Sequence, residues 1–97
     1  MHRRPRRSYG PDHVIRRARE RWGLVLDRHD VSELERVVAC AIAGEDADAR
    51  LIEVQGVDRA IWIVAFRGAW REVAIDGRGR ARSVGAGAWP VALPRSA

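Results

Sequence analysis

Ile61-Trp62-Ile63-Val64-Ala65-Phe66 is the stretch whose reading decides the fold. Six successive apolar residues, mostly β-branched or aromatic, carry no helical period. Such a run reads as a central strand covered on both faces. On its N-terminal side, Arg50–Val54 reads as a short strand and Gln55-Gly56-Val57-Asp58 as a turn. On its C-terminal side, Arg67-Gly68 begins a tight connection and Trp70–Asp76 forms the next strand. Arg71 and Val73 alternate there with Trp70 and Glu72. Asp76-Gly77-Arg78-Gly79 is a hairpin turn, and Arg80–Val84 is a fourth strand with Arg80 and Arg82 on one face and Ala81 on the other. Gly85 and Gly87 weaken any continuation, and Pro90 and Pro94 forbid a central strand beyond.

Ahead of this period of two, the period is 3.6. Gly10-Pro11-Asp12 opens a helix, because proline needs no partner for its missing N–H in the first turn and Asp12 suits the positive end of the dipole. Val14, Ile15, Ala18 and Trp22 share one side, and Gly23 ends the helix. Asp30 is expected to cap the second helix, with Glu33 completing a capping box. Val31, Leu34, Val37, Val38, Ala41 and Ile42 make its apolar stripe, and Gly44 stops it. The predicted fold is α+β: two N-terminal helices packed on one face of a roughly four-stranded antiparallel meander. Residues 1–10 read as a flexible basic arm, 11–88 as a single domain and 89–97 as a C-terminal tail.

The chain has 97 residues, 46% of them apolar, with 18 basic and 13 acidic residues for a net charge of +5. Every basic residue is Arg. Residues 1–22 hold eight Arg against Asp12 and Glu20, a balance of +6, so the remainder is slightly acidic. No apolar stretch approaches the ~20 residues of a membrane span, and Arg16 and Arg17 interrupt any signal-peptide core. A single cysteine, Cys40, excludes an internal disulfide and a cysteine-based zinc site; it reads as a small, inert boundary residue. His29 with Asp27 and Asp30 lacks a supporting ligand spacing, so no metal or cofactor is expected. The expected setting is cytoplasmic, without membrane contact.

Arg3, Arg4, Arg6 and Arg7 make the arm either a solvated tail or a phosphate-seeking segment. Within the first helix, His13, Arg17 and Arg21 are four residues apart and form a ridge beside the apolar stripe. A group at such a boundary is partly desolvated, and its pKa can move.

His13-x-x-x-Arg17-x-x-x-Arg21-Trp22-Gly23-Leu24, followed by a second helix and a meander, resembles the small domains of the barnase–EndoU–colicin–RelE class. The likeness is closest to an uncharacterised bacterial and phage branch with an N-terminal helix reading His…Arg…Arg-Gly-Ile. It spans about residues 12–84. The resemblance implies metal-independent RNA cleavage. In that chemistry His13 is the proton carrier, Arg67 and Arg71 act at the phosphate with it, and Arg17, Arg21 and Arg82 bind nucleic acid. The sequence departs from the pattern after the last hairpin, where Ser83-Val84-Gly85-Ala86-Gly87 replaces a β-branched strand.

The competing reading of the residues makes His13 a surface residue and Arg17 and Arg21 a solvated face, ion-paired with Glu20 or Asp27. The chain is then a catalytically silent phage-type protein, either an interaction protein that meets a partner complex through its basic face or a structural component whose arm touches packaged nucleic acid. A sheet edge at the first or fourth strand, or Trp89, could serve a protein partner.

Overall fold

A computed structural model describes residues 10–45 and 47–89. The fold is α+β, with two helices followed by four strands: α1 (Pro11–Trp22), α2 (Arg28–Ile42), β1 (Ala49–Val54), β2 (Arg59–Phe66), β3 (Ala69–Asp76) and β4 (Ala81–Trp89). The strands form one antiparallel meander in the order β1-β2-β3-β4. The expected architecture therefore stands, with three local corrections.

The first concerns α2. Its N-cap is Asp27, whose side chain accepts from the Asp30 N–H, while the Asp30 carboxylate accepts from the Asp27 N–H. Asp30 is thus the third residue of the box and not its cap, and the helix starts about a turn earlier than expected. Two aspartates three apart can each satisfy the other's amide, so the spacing Asp27-x-x-Asp30 competes with Asp30-x-x-Glu33. Glu33 pairs instead with Arg36.

The second concerns β4, which continues through Gly85 and Gly87 to Trp89, into the stretch read as tail. A β-carbon at Gly85 would lie 2.6 Å from Cδ of Glu72, so the missing side chain leaves room for that carboxylate across the ladder. Two register irregularities also absorb misfit, one between Arg71 and Val73 and one between Ala74 and Ile75. The second leaves Arg82 as the extra residue between Ala81 and Ser83, which breaks the simple alternation expected of Arg80 and Arg82.

The third is an extension: β2 starts at Arg59, and the two-residue loop Arg67-Gly68 joins it to β3. Both loop residues have positive φ, 53° and 83°, which matches the twist of flanking strands in a tight hairpin. Arg67 holds a conformation that costs a non-glycine residue about 1 kcal/mol. The Arg71 guanidinium braces it by donating to the Arg67 carbonyl at 3.1 Å.

The helices lie on one face of the sheet. Val14 and Ala18 of α1, Leu26, and Val31, Leu34 and Val38 of α2 pack against Ala49, Val64, Val73, Ile75, Ala81 and Val84. Trp22, Trp62 and Phe66 close the margin of this core. Neither described helix covers the other face, yet Ile63 is only 2% exposed there. Register explains it: Ile63 lies between Arg50 of β1 and Glu72 of β3, and the Arg50 guanidinium reaches over the Trp70 ring, 5.8 Å from its centre. Long side chains from flanking strands thus cover the second face of the central run.

Candidate nucleic-acid interface

The apolar side of α1 is buried, which turns Arg16, Arg19 and Glu20 to solvent and leaves His13 and Arg17 half-buried at the boundary. Two side chains at the helix C-terminus fix α1 to β4. Arg21 donates to the Val84 carbonyl at 2.7 Å, and the Trp22 indole N–H donates to the Gly85 carbonyl at 2.9 Å. Spacing on the helix located the ridge, but only tertiary structure reveals these acceptors, because a peptide carbonyl carries no residue-type signal.

His13 sits against its own helix. Arg16 approaches its Nδ1 at 3.3 Å. A guanidinium can only donate, so Nδ1 is the acceptor and the ring proton resides on Nε2. Burial, followed by the positive charges of Arg17, Arg16 and Arg21, holds the imidazole below its ordinary pKa. A neutral imidazole can take up a proton, which here requires Nδ1 to exchange its contact with Arg16 for the proton.

Arg67 and Arg71 occupy a different place. Arg71 donates to the Phe66 and Arg67 carbonyls at 2.8 and 3.1 Å and stacks over Trp22, 5.3 Å from the ring centre. Arg67 lies over Phe66 at 5.1 Å and pairs with Asp30 at 3.1 Å. These two arginines therefore gather with Trp22 at the C-terminal end of α1. His13 lies nine residues before Trp22, about 13 Å along the axis at the helical rise per residue. Arg82 pairs with Asp76 at 3.6 Å and lines an open pocket of about 560 Å³ with Asp58, Arg59, Gly77 and Arg78. The structure brings His13 together with Arg16 and Arg17, and Arg67 with Arg71. Arg3, Arg4, Arg6 and Arg7 lie outside the described residues, as does the side chain of Trp89.

Charge balance on α1 distinguishes its arginines. Its two acids are both engaged: Glu20 with Arg17 at 2.9 Å, and Asp12 with Arg28 at 3.2 Å. Arg16, Arg19 and Arg21 have no carboxylate partner among the described residues. Arg21 spends an N–H on a neutral carbonyl and keeps its full charge.

Cys40 lies beside the core stripe of α2. A hydrogen bond to Glu45, then burial, raises its thiol pKa, which suppresses the thiolate. Among the described residues no group of three or more His, Cys, Asp or Glu is placed to hold a metal ion, and no helix is long and apolar enough to cross a membrane. Compared with known proteins, the chain matches no family model, no curated protein and no solved structure.

Proposed function

We propose that this chain binds nucleic acid, RNA above all, by gripping the phosphate backbone with the exposed arginines of α1 and extending that grip through Arg3, Arg4, Arg6 and Arg7. The observation that carries this reading is the set Arg16, Arg19 and Arg21: three guanidiniums on one twelve-residue helix whose acids are already engaged. Guanidinium forks suit phosphate oxygens, and a helix fastened at one end by Arg21 and Trp22 presents them on a rigid edge. Arg17 and Arg82 belong to this binding surface in a lesser role, since each already has an acidic partner.

The toxin-like resemblance adds metal-independent RNA cleavage. The neutral imidazole of His13, with Arg16 and Arg17 beside it, favours that addition. Arg67 and Arg71 do not favour it. The Arg71 guanidinium serves the β2–β3 hairpin and the Trp22 contact, and the Arg67 guanidinium is held by Asp30 and Phe66, so cleavage on this reading runs on His13 and the arginines of its own helix. The toxin-like or phage-type origin and a cytoplasmic setting belong to the same proposal. The alternative is a catalytically silent phage-type interaction or structural protein that meets a protein complex through the same basic face.

The test is fluorescence anisotropy with a labelled single-stranded RNA, repeated across salt concentrations. Each phosphate contact contributes a slope of about 0.7 in log K against log salt. Replacing Arg16 and Arg19 by Gln is expected to lower the slope by about 1.4 in total, and deleting residues 1–8 lowers it further. Absence of binding at low salt defeats the proposal. If binding holds, gel analysis of the same RNA with wild type and His13→Ala decides between cleavage and silent binding.

A further inference from the structure

The free edge of β1 carries the chain's most exposed run of large apolar side chains within a strand. Leu51, Ile52 and Val54 are 50, 41 and 64% exposed, and among the described residues β2 is the only strand beside them. The ladder bonds at the two ends of β1 define what that edge offers. Ala65 N–H donates to the Asp48 carbonyl and Gln55 N–H to the Arg59 carbonyl. Alternation between these inward ends leaves the peptide groups of Ala49 and Val54 turned away from β2.

A bulge decides the facing of the charges. Arg50 lies opposite Ile63 and Glu53 opposite Ile61, with the shift at Ile52 between them. Ile61 and Ile63 are two apart on one strand and share a face, so Arg50 and Glu53 share it too. In a regular strand residues three apart face opposite ways. Ala49 and Val54 oppose Val64 and Ala60, and likewise share the other face.

We propose that β1 pairs with β1 of a second copy of this chain, antiparallel about a twofold axis that passes between Leu51 and Ile52. In that register Ala49 meets the partner's Val54, Arg50 meets the partner's Glu53 and Leu51 meets the partner's Ile52. Directly opposed residues of an antiparallel pair must share a face, and this register satisfies that rule for Ala49 with Val54 and for Arg50 with Glu53 because of the bulge. It also forms two symmetry-related pairs of opposite charge. Among the described residues neither Arg50 nor Glu53 has an ion-pair partner: Arg50 donates to the Ala47 and Ala49 carbonyls and lies over Trp70. A bulge commonly protects an edge from pairing; here it selects one self-complementary register out of several. An isologous contact of this kind closes at two copies.

Sedimentation equilibrium of the full chain over a range of concentrations tests the pairing. The wild type is expected to dimerise. Glu53→Arg, which removes no intramolecular hydrogen bond, and Arg50→Glu each place like charges opposite one another twice, and each is expected to weaken the dimer at least about tenfold. The double variant Arg50→Glu/Glu53→Arg restores opposite charges and is expected to recover the dimer. Circular dichroism of each variant separates lost pairing from lost folding. A wild type that stays monomeric to about 1 mM, folded single variants that associate undiminished, or a double variant no better than the singles overturns the proposal.

Discussion

Replacing Trp22 by Phe tests how α1 is held against the sheet. Phenylalanine keeps a ring near Phe66, whose centre lies 6.4 Å from that of Trp22. It removes the indole N–H that donates to the Gly85 carbonyl at 2.9 Å, and it shrinks the ring beneath the Arg71 guanidinium. Losing one partly buried hydrogen bond costs about 1 kcal/mol. A weaker cation–π contact adds about 0.5 kcal/mol. The sum, about 1.5 kcal/mol, is a sizeable fraction of the 5–15 kcal/mol typical of a domain. With a urea slope of about 1.5 kcal/mol/M, typical for a small domain, the unfolding midpoint falls by about 1 M. Far-ultraviolet circular dichroism is the proper signal, because changing one of four tryptophans alters the fluorescence directly. Trp22→Ala, which also removes the ring, is expected to cost about 3 kcal/mol or more. A Trp22→Phe midpoint within about 0.2 M of wild type would show that the indole bond does not hold the helix.

Three further outcomes follow from contacts already described. Leu34 is fully buried where α2 meets the sheet, so Leu34→Ala is expected to lose about 3 kcal/mol in urea unfolding; a loss under about 1 kcal/mol contradicts its place in the core. Asp27→Ala removes the observed cap and is expected to cost about 1 kcal/mol, and an unchanged midpoint in thermal melts argues against the Asp27–Asp30 box. Burial pushes the Asp76 carboxyl pKa up, but the Arg80 and Arg78 amides with Arg82 outweigh it and hold it below the usual carboxylate value. The stability it contributes is therefore present above the unfolded value and lost as pH falls through about 4 toward the folded one. Asp76→Asn is expected to be less stable at neutral pH and flatter in acid, and parallel melting profiles for the two proteins refute that linkage.

What the sequence makes legible follows the range of each signal. Periodicity is local, and it locates both helices, all four strands and most of the buried faces, because burial of Val14 with Ala18, or of Val31 with Leu34 and Val38, repeats within one element; Ile42, read as the end of the α2 stripe, is instead 64% exposed at the last turn of the helix. The cap of α2 is ambiguous at the same range, since Asp27 and Asp30 each begin an acidic pair three residues apart. The length of β4 depends on Glu72 occupying the space above Gly85, and such cross-strand compensation lies outside any window of neighbouring residues. The candidate site divides similarly. The ridge of His13, Arg17 and Arg21 is visible as spacing on one helix. That Arg71 is fastened to the Phe66 carbonyl and Trp22, and Arg67 to Asp30, depends on how the hairpin meets the helix ends. No spacing rule carries that information.

The two outer strands of the sheet are unlike in what they leave open. On β4 the carbonyls of Val84 and Gly85 are already taken by donors from α1, so an incoming strand would have to displace a helix to use them. On β1, among the described residues, no helix donates to the edge, and the side chain on the Ala49 carbonyl is Arg50 of the same strand. A sheet obstructed at one outer strand by helix donors and at the other by a single side chain of that strand favours strand addition on the second side. When the strand it adds comes from another copy oriented the opposite way, both receptive ends are consumed in the same event. Growth then stops at a finite particle of eight continuous strands rather than running on into a fibre. The fastening of α1 thus bears on assembly as well as on the scaffold: the side chains that hold the arginine helix in place also occupy two carbonyls in the middle of the sheet's far strand.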